Sequence, residues 1–143
     1  MKYVVDTCTF NKLIDGEIEP ESLPNDGEFI ASHIQVDELN KTMDKDRRAR
    51  LFLRFTTMVD EVVSTETGVY DVSRYDHSKF SDGIMYGKLK SELDVLNHQK
   101  RNNPMDVLIL EIAIKNRCRL LTTDTDLARV ARANGCIVAG WKG

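Results

Sequence analysis

The sequence lacks any apolar run approaching the ~18 residues that cross a bilayer. Its opening segment, "MKYVVDTCTF", offers only a short apolar stretch before an acid. Neither a membrane span nor a signal peptide is therefore expected, and a soluble, cytoplasmic protein is. Cysteine is scarce. Cys8, Cys118 and Cys136 are odd in number and widely spaced, with no C-x-x-C pair. That excludes a disulfide framework and a zinc knuckle, and leaves each thiol as a small hydrophobe. No G-x-G-x-x-G or P-loop follows any strand-like run, which removes the dinucleotide-binding folds. An excess of positive charge is missing too, since the formal net charge is −3. The sum decides little about nucleic acid: if five of the 23 acids gather in one site, the other 18 face 20 Lys and Arg.

What is present suits one domain spanning residues 1–143, with 41% hydrophobic and 30% charged residues. Such a chain can bury a core without disulfides or structural metal. Five β-rich runs punctuate it: "KYVV" (2–5), "EFIA" (28–31), "EVVS" (61–64), "CRLL" (118–121) and "CIVA" (136–139). They are apolar without strict alternation, as in strands covered on both faces. Ser32 and Gln35 form an S-x-x-Q capping box that opens a helix through Glu38. That helix continues or restarts through "RRARLFLRFTTMV", where Leu51, Phe52 and Phe55 suit the core slightly better than an interface. Another helix covers "GIMYGKLKSELDVLNHQK", with Met85, Leu89, Leu93 and Leu96 as its apolar stripe and a loop, "VYDVSRYDHSKFSDG", before it. Asn103-Pro104 opens the next, and the last runs from about Asp126 to Asn134-Gly135. The alternation predicts an α/β fold, a three-layer α/β/α sandwich around a parallel sheet of about five strands.

The acids fall at one end of that skeleton. Asp6 ends the first strand, while Asp124 and Asp126 follow the fourth. In open α/β sheets, ligands bind outside the carboxyl ends of strands where the strand order reverses. If strands one and four adjoin there, Asp6 and Asp124 face each other across the crevice. Glu38 lies in the second turn of its helix, and Asp106 in the first turn after Pro104. Crowded carboxylates repel, and a hard divalent cation such as Mg²⁺ or Mn²⁺ relieves the repulsion. Singly, each acid has an ordinary alternative. Asp124 could be an N-cap, Asp126 and Asp106 first-turn acids, and Glu38 a surface residue. The conjunction carries the inference.

The segments "YVVDTCTF", "FIASHIQVDEL", "NPMDVLILEIAI" and "LLTTDTDLARVA" together resemble the PIN domain family, named for the PilT N-terminus and including VapC-type toxins. The resemblance covers nearly the whole chain. It implies a metal-dependent endoribonuclease using Mg²⁺ or Mn²⁺, with Asp6, Glu38, Asp106 and Asp124 as the acidic quartet. Asp126 matches a further acid of many members, and Thr123 a small polar residue that assists the site. Cys8 departs from the Asn often found there. A homodimer and, for a toxin, an antitoxin partner are also implied. Two clusters of cations could hold RNA phosphates or face solvent: Arg47, Arg48, Arg50 and Arg54, and Lys88, Lys90, Lys100 and Arg101. His33, His77 and His98 are scattered and are read as structural or surface residues.

Other enzyme classes fit less well. "DTCTF" lacks the second Asp of a haloacid-dehalogenase-like D-x-D-x-T, and "EVVSTETG" has no acceptor Asp for a response-regulator receiver. The non-enzymatic alternative is a binding or scaffolding module that keeps the fold without turnover.

Overall fold

The computed structural model describes residues 1–64 and 84–139, so the loop expected at 69–83 and His77 lie outside the described residues. The chain opens with β1 (Lys2–Val5) and α1 (Thr7–Ile14), then a 3₁₀ turn at Pro20–Ser22. β2 (Glu28–Ser32), α2 (His33–Asn40), α3 (Lys45–Met58) and β3 (Glu61–Val63) follow. After the undescribed segment come α4 (Ile84–Asn97), α5 (Asn103–Lys115), β4 (Arg119–Leu121), α6 (Thr125–Ala133) and β5 (Val138–Ala139).

The strands form one sheet in the order β3-β2-β1-β4-β5, and every pairing is parallel. β1 therefore lies between β2 and β4, and the winding reverses there. Side-chain alternation sends the two faces of each strand into separate cores. Val4, Ile30 and Leu120 pack with Leu89 and Leu93 of α4, the apolar residues of α5, and Leu127 and Val130 of α6. Tyr3, Val5, Ala31 and Leu121 meet Phe10, Leu39, Leu51 and Phe55 from α1, α2 and α3. The expected three-layer sandwich is what forms. Residues 107–113 of α5 are all buried, so this helix is covered all round and reads as nearly continuous apolar sequence.

Local signals set the ends. Ser32 and Gln35 make the capping box of α2, and Asp44 caps α3, so the chain restarts a helix there. Gly135, at φ +81°, follows the Asn134 C-cap of α6. Leu51 and Phe55 belong to the core, with the Phe10 and Phe55 ring centroids 5.5 Å apart. The α4 stripe is narrower than expected: Leu89 and Leu93 are fully buried, whereas Leu96 is 37% exposed. Helix α1 had no counterpart in the sequence reading. Its first turn, Thr7-Cys8-Thr9, has weak helix propensity, and only Phe10, Leu13 and Ile14 give a helical spacing. Among the described residues, no helix is long and apolar enough to cross a membrane.

Candidate active site

The reversal between β1 and β4 places the acids. The Asp6 amide donates to the Leu121 carbonyl at 2.9 Å, extending the β1–β4 pairing to the point where both chains leave the sheet. Asp6 then stands at the N-cap position of α1 but makes no side-chain cap. Its carboxylate is 4% exposed and turns instead toward β4, where Thr122 Oγ1 donates to Oδ2 at 2.6 Å. Cys8 Sγ donates to the same oxygen at 3.3 Å. Helix α2 is brought in by Gln35, whose Nε2 donates to the Val5 carbonyl at 2.8 Å while its Oε1 accepts from the Ser32 amide. One turn further, Glu38 Oε1 accepts from Thr7 Oγ1 at 2.9 Å. Asp124 does cap α6: its Oδ1 accepts from the amides of Asp126 and Leu127 at 3.0 and 3.2 Å. The cap and the cleft position coexist, because both amides use the same oxygen.

These groups line one open cleft of about 530 Å³, with Asp6, Glu38, Asp106, Asp124 and Asp126 sharing it. All five acids singled out in the sequence thus meet at the carboxyl edge of the sheet. Their electrostatics are those of crowded anions. Burial raises the Asp6 carboxyl above its ordinary range despite the Thr122 and Cys8 hydrogen bonds, and nearby Asp124 adds to the rise. Glu38 is likewise raised, by burial and then by Asp6, against the Thr7 hydrogen bond. Asp106 is pushed up to about 8, by burial first and then by the charges of Asp6, Glu38 and Asp124.

That imbalance is what a hard cation would correct. The donors are mainly carboxylate oxygens, and raised carboxyls mark a place short of positive charge, so the residues fit Mg²⁺ or Mn²⁺. Asp6, Glu38, Asp106 and Asp124 would hold the ion. Among the described residues no group of three or more His, Cys, Asp or Glu is already arranged as a metal cage.

The hydroxyl expected to assist was Thr123, and it contacts Cys8 Sγ at 3.2 Å. Thr122 does more: it donates to Asp6 and accepts from the Asp124 amide at 3.0 Å, linking the two strand-end acids. Thr7 does the same service for Glu38. Neither was singled out in the sequence, where only the T-x-D spacing and the D-T pair could have marked them. Cys8 is not an activated nucleophile, since burial and then the charge of Asp6 push its thiol up to about 11. Cys118 and Cys136 are buried, as expected of apolar thiols. Among the Arg cluster, Arg47 is committed to Asp15 and Asn11, and Arg48 to the Thr42 carbonyl. In the Lys cluster, Lys88 meets Asn134 and Glu92, Lys90 meets Asp94, and Lys100 lines the cleft.

Comparison with known proteins bears on the fold and the family. No curated protein matches the chain. Among solved structures, VapBC2 from Rickettsia felis, bound to a DNA fragment from its promoter, aligns with a TM-score of 0.63 at 21% identity, covering 99% of this chain and 100% of that one. VapBC-5 of Mycobacterium tuberculosis, a member of the VapBC family of toxin-antitoxin systems, aligns at 0.56 and 18% identity, covering 96% and 98%. FitAcB from Neisseria gonorrhoeae aligns at 0.51 and 14% identity, covering 96% of each chain. At these identities the likeness speaks for the fold. The family model for the PIN domain matches residues 3–133, nearly the whole chain, and the chain belongs to the PIN domain family.

Proposed function

We propose that this protein is a divalent-metal-dependent endoribonuclease that hydrolyses phosphodiester bonds of RNA, with Asp6, Glu38, Asp106 and Asp124 as its working residues. The observation that carries the reading is the company of Asp106: a carboxyl pushed up to about 8 beside three other acids in one solvent-open cleft. A structural role would not assemble that much like charge where two strands end. A bound Mg²⁺ or Mn²⁺ supplies Lewis-acid stabilisation of charge on the phosphodiester and lowers the pKa of water.

The chain's own residues do the rest. Asp6 and Asp124, from neighbouring strands, form the centre, and Glu38 and Asp106 flank them. Thr122 fixes Asp6 and the Asp124 backbone, and Thr7 fixes Glu38, so the carboxylates keep their orientation. Asp106 is suited to hold a proton near neutral pH when no cation is present. Asp126 is peripheral, and Thr123 supports through Cys8. The toxin-antitoxin proteins among the structural neighbours support a toxin role with an antitoxin partner, and the cytoplasmic location and homodimer expected from the sequence belong to the same reading.

The second reading is a catalytically inactive PIN-fold module for binding or scaffolding. It draws on the cap that Asp124 makes for α6, a structural duty independent of any metal. Incubating the protein with labelled single-stranded RNA and DNA, plus Mn²⁺, Mg²⁺ or EDTA, decides between them. Metal-dependent RNA cleavage that Asp6→Asn abolishes is the expected result. Absence of cleavage together with absence of metal binding refutes the nuclease reading.

A further inference from the structure

A cleft lined by five carboxylates repels a polyanion, so a nuclease that uses it needs a cation placed to hold the strand. Among the described residues that line the cleft, Lys100 is the one Lys or Arg. Its ammonium is exposed and has no hydrogen bond or ion pair to a described residue, unlike those of Lys88 and Lys90. Lys100 nevertheless sits close enough to lower the Asp106 carboxyl by its charge.

The loop that presents it is built with care. His98 and Gln99, neither of them glycine, both adopt left-handed backbone at φ 58° and 59°. Such a pair costs conformational energy and persists only where the surroundings over-determine it. The surroundings here are a buried amide pair. Asn97 and Asn103, 8% and 1% exposed, exchange reciprocal side-chain hydrogen bonds of 2.8 Å. Asn103 Nδ2 also donates to Asp94 Oδ1 at 2.7 Å, and Asp94 Oδ2 accepts from Lys90. The Gln99 amide donates to the Asp94 carbonyl and the Asn103 amide to the Lys100 carbonyl, both at 3.1 Å. The α4–α5 connection is thereby closed into a braced turn with a free lysine at its tip, over the carboxylates.

We infer that Lys100 is the strand anchor of this site, binding a backbone phosphate of single-stranded RNA so that the adjacent phosphodiester lies over Asp6 and Asp124. The inference rests on the nuclease reading and adds to it the residue that offsets the repulsion. An exposed ammonium on a flexible stem suits a phosphate at variable sequence, because it is a point charge without base-reading geometry.

The test compares wild type, Lys100→Gln and Lys100→Arg. Affinity for a labelled RNA 12-mer is measured with Ca²⁺ from 50 to 300 mM salt, and cleavage and Mn²⁺ binding are measured in parallel. Loss of one phosphate contact should weaken RNA binding by roughly tenfold at low salt and reduce the log–log salt slope by about 0.7. KM should rise far more than kcat falls, and Lys100→Arg should restore most of the loss. Lys100→Gln that binds RNA with wild-type affinity and slope, while wild type still cleaves, overturns the anchor and leaves the nuclease intact. So does a change confined to Mn²⁺ affinity, which would make Lys100 a counter-ion for Asp106. Wild type that neither binds nor cleaves overturns both readings.

Discussion

Replacing Asp106 by Asn should stabilise the metal-free protein, and should do so more at high pH than at low. The sign follows from linkage. A carboxyl raised from 3.8 to about 8 on folding holds its proton in the native state where the unfolded chain has lost it. Its contribution is fully present below about pH 4 and drains away as pH rises through 8. At about 1.36 kcal/mol per pKa unit, a rise of about four units sets a ceiling of about 5–6 kcal/mol. Water in the open cleft screens the acids from one another, so about 2 kcal/mol is the expected effect at pH 8. For a chain of this length that is about 5 °C in Tm. Urea unfolding of wild type and Asp106→Asn in EDTA, at pH 5.5 and pH 8, measures it. The variant's advantage should be larger at pH 8 than at pH 5.5, by only part of that total because the loss already begins above about pH 4, and millimolar Mn²⁺ should reverse the order at pH 8. A first-turn acid with no other duty behaves oppositely, since its loss removes about 0.3–1 kcal/mol of helix-dipole stabilisation as it becomes charged. A variant less stable than wild type at pH 8 would therefore refute the crowding of Asp106.

Two further outcomes test the supporting residues. Thr122→Val removes the 2.6 Å bond to Asp6 and the acceptor for the Asp124 amide. It should weaken Mn²⁺ binding by roughly 10-fold or more and lower stability by about 1–3 kcal/mol; wild-type Mn²⁺ affinity by calorimetry would contradict the orienting role. With its thiol pushed up to about 11 and Cys118 and Cys136 also raised by burial, native protein should react slowly with a disulfide reagent at pH 8. All three thiols should react promptly in urea, and rapid labelling of Cys8 in the native state would show an activated thiol instead.

The parts of the fold that depend on near neighbours in sequence were legible there. The capping box at Ser32 and Gln35, Pro104 in the first turn of α5, and Asn134-Gly135 closing α6 are local signals read where they stand. The adjacency of β1 and β4 was reached only as a condition, because strand order is set by long-range packing. Asp6 was already hard to explain as anything but a site residue, and its unused N-cap position is the structural counterpart. Asp124 shows the limit of such reasoning, since a cap and a cleft ligand look alike in sequence and here are the same residue. Thr122 and Thr7 stayed hidden because a hydroxyl beside an acid is common, and only the fold brings Thr7 to Glu38, 31 positions away. Lys100 was one of four lysines and arginines near a helix end; the paired amides of Asn97 and Asn103 separate it from the others.

The central claim is that four carboxylates from β1, α2, α5 and the β4–α6 turn form one cation site. Mn²⁺ titration of wild type, followed by electron paramagnetic resonance at pH 8, tests it most directly, alongside Asp6→Asn, Glu38→Gln, Asp106→Asn, Asp124→Asn and Asp126→Asn. The expected result is saturable binding by wild type, weakened by about tenfold or more in each of the first four variants and little changed in Asp126→Asn. Wild type that leaves Mn²⁺ free at millimolar concentration, or quartet variants that bind it as wild type does, would contradict the claim.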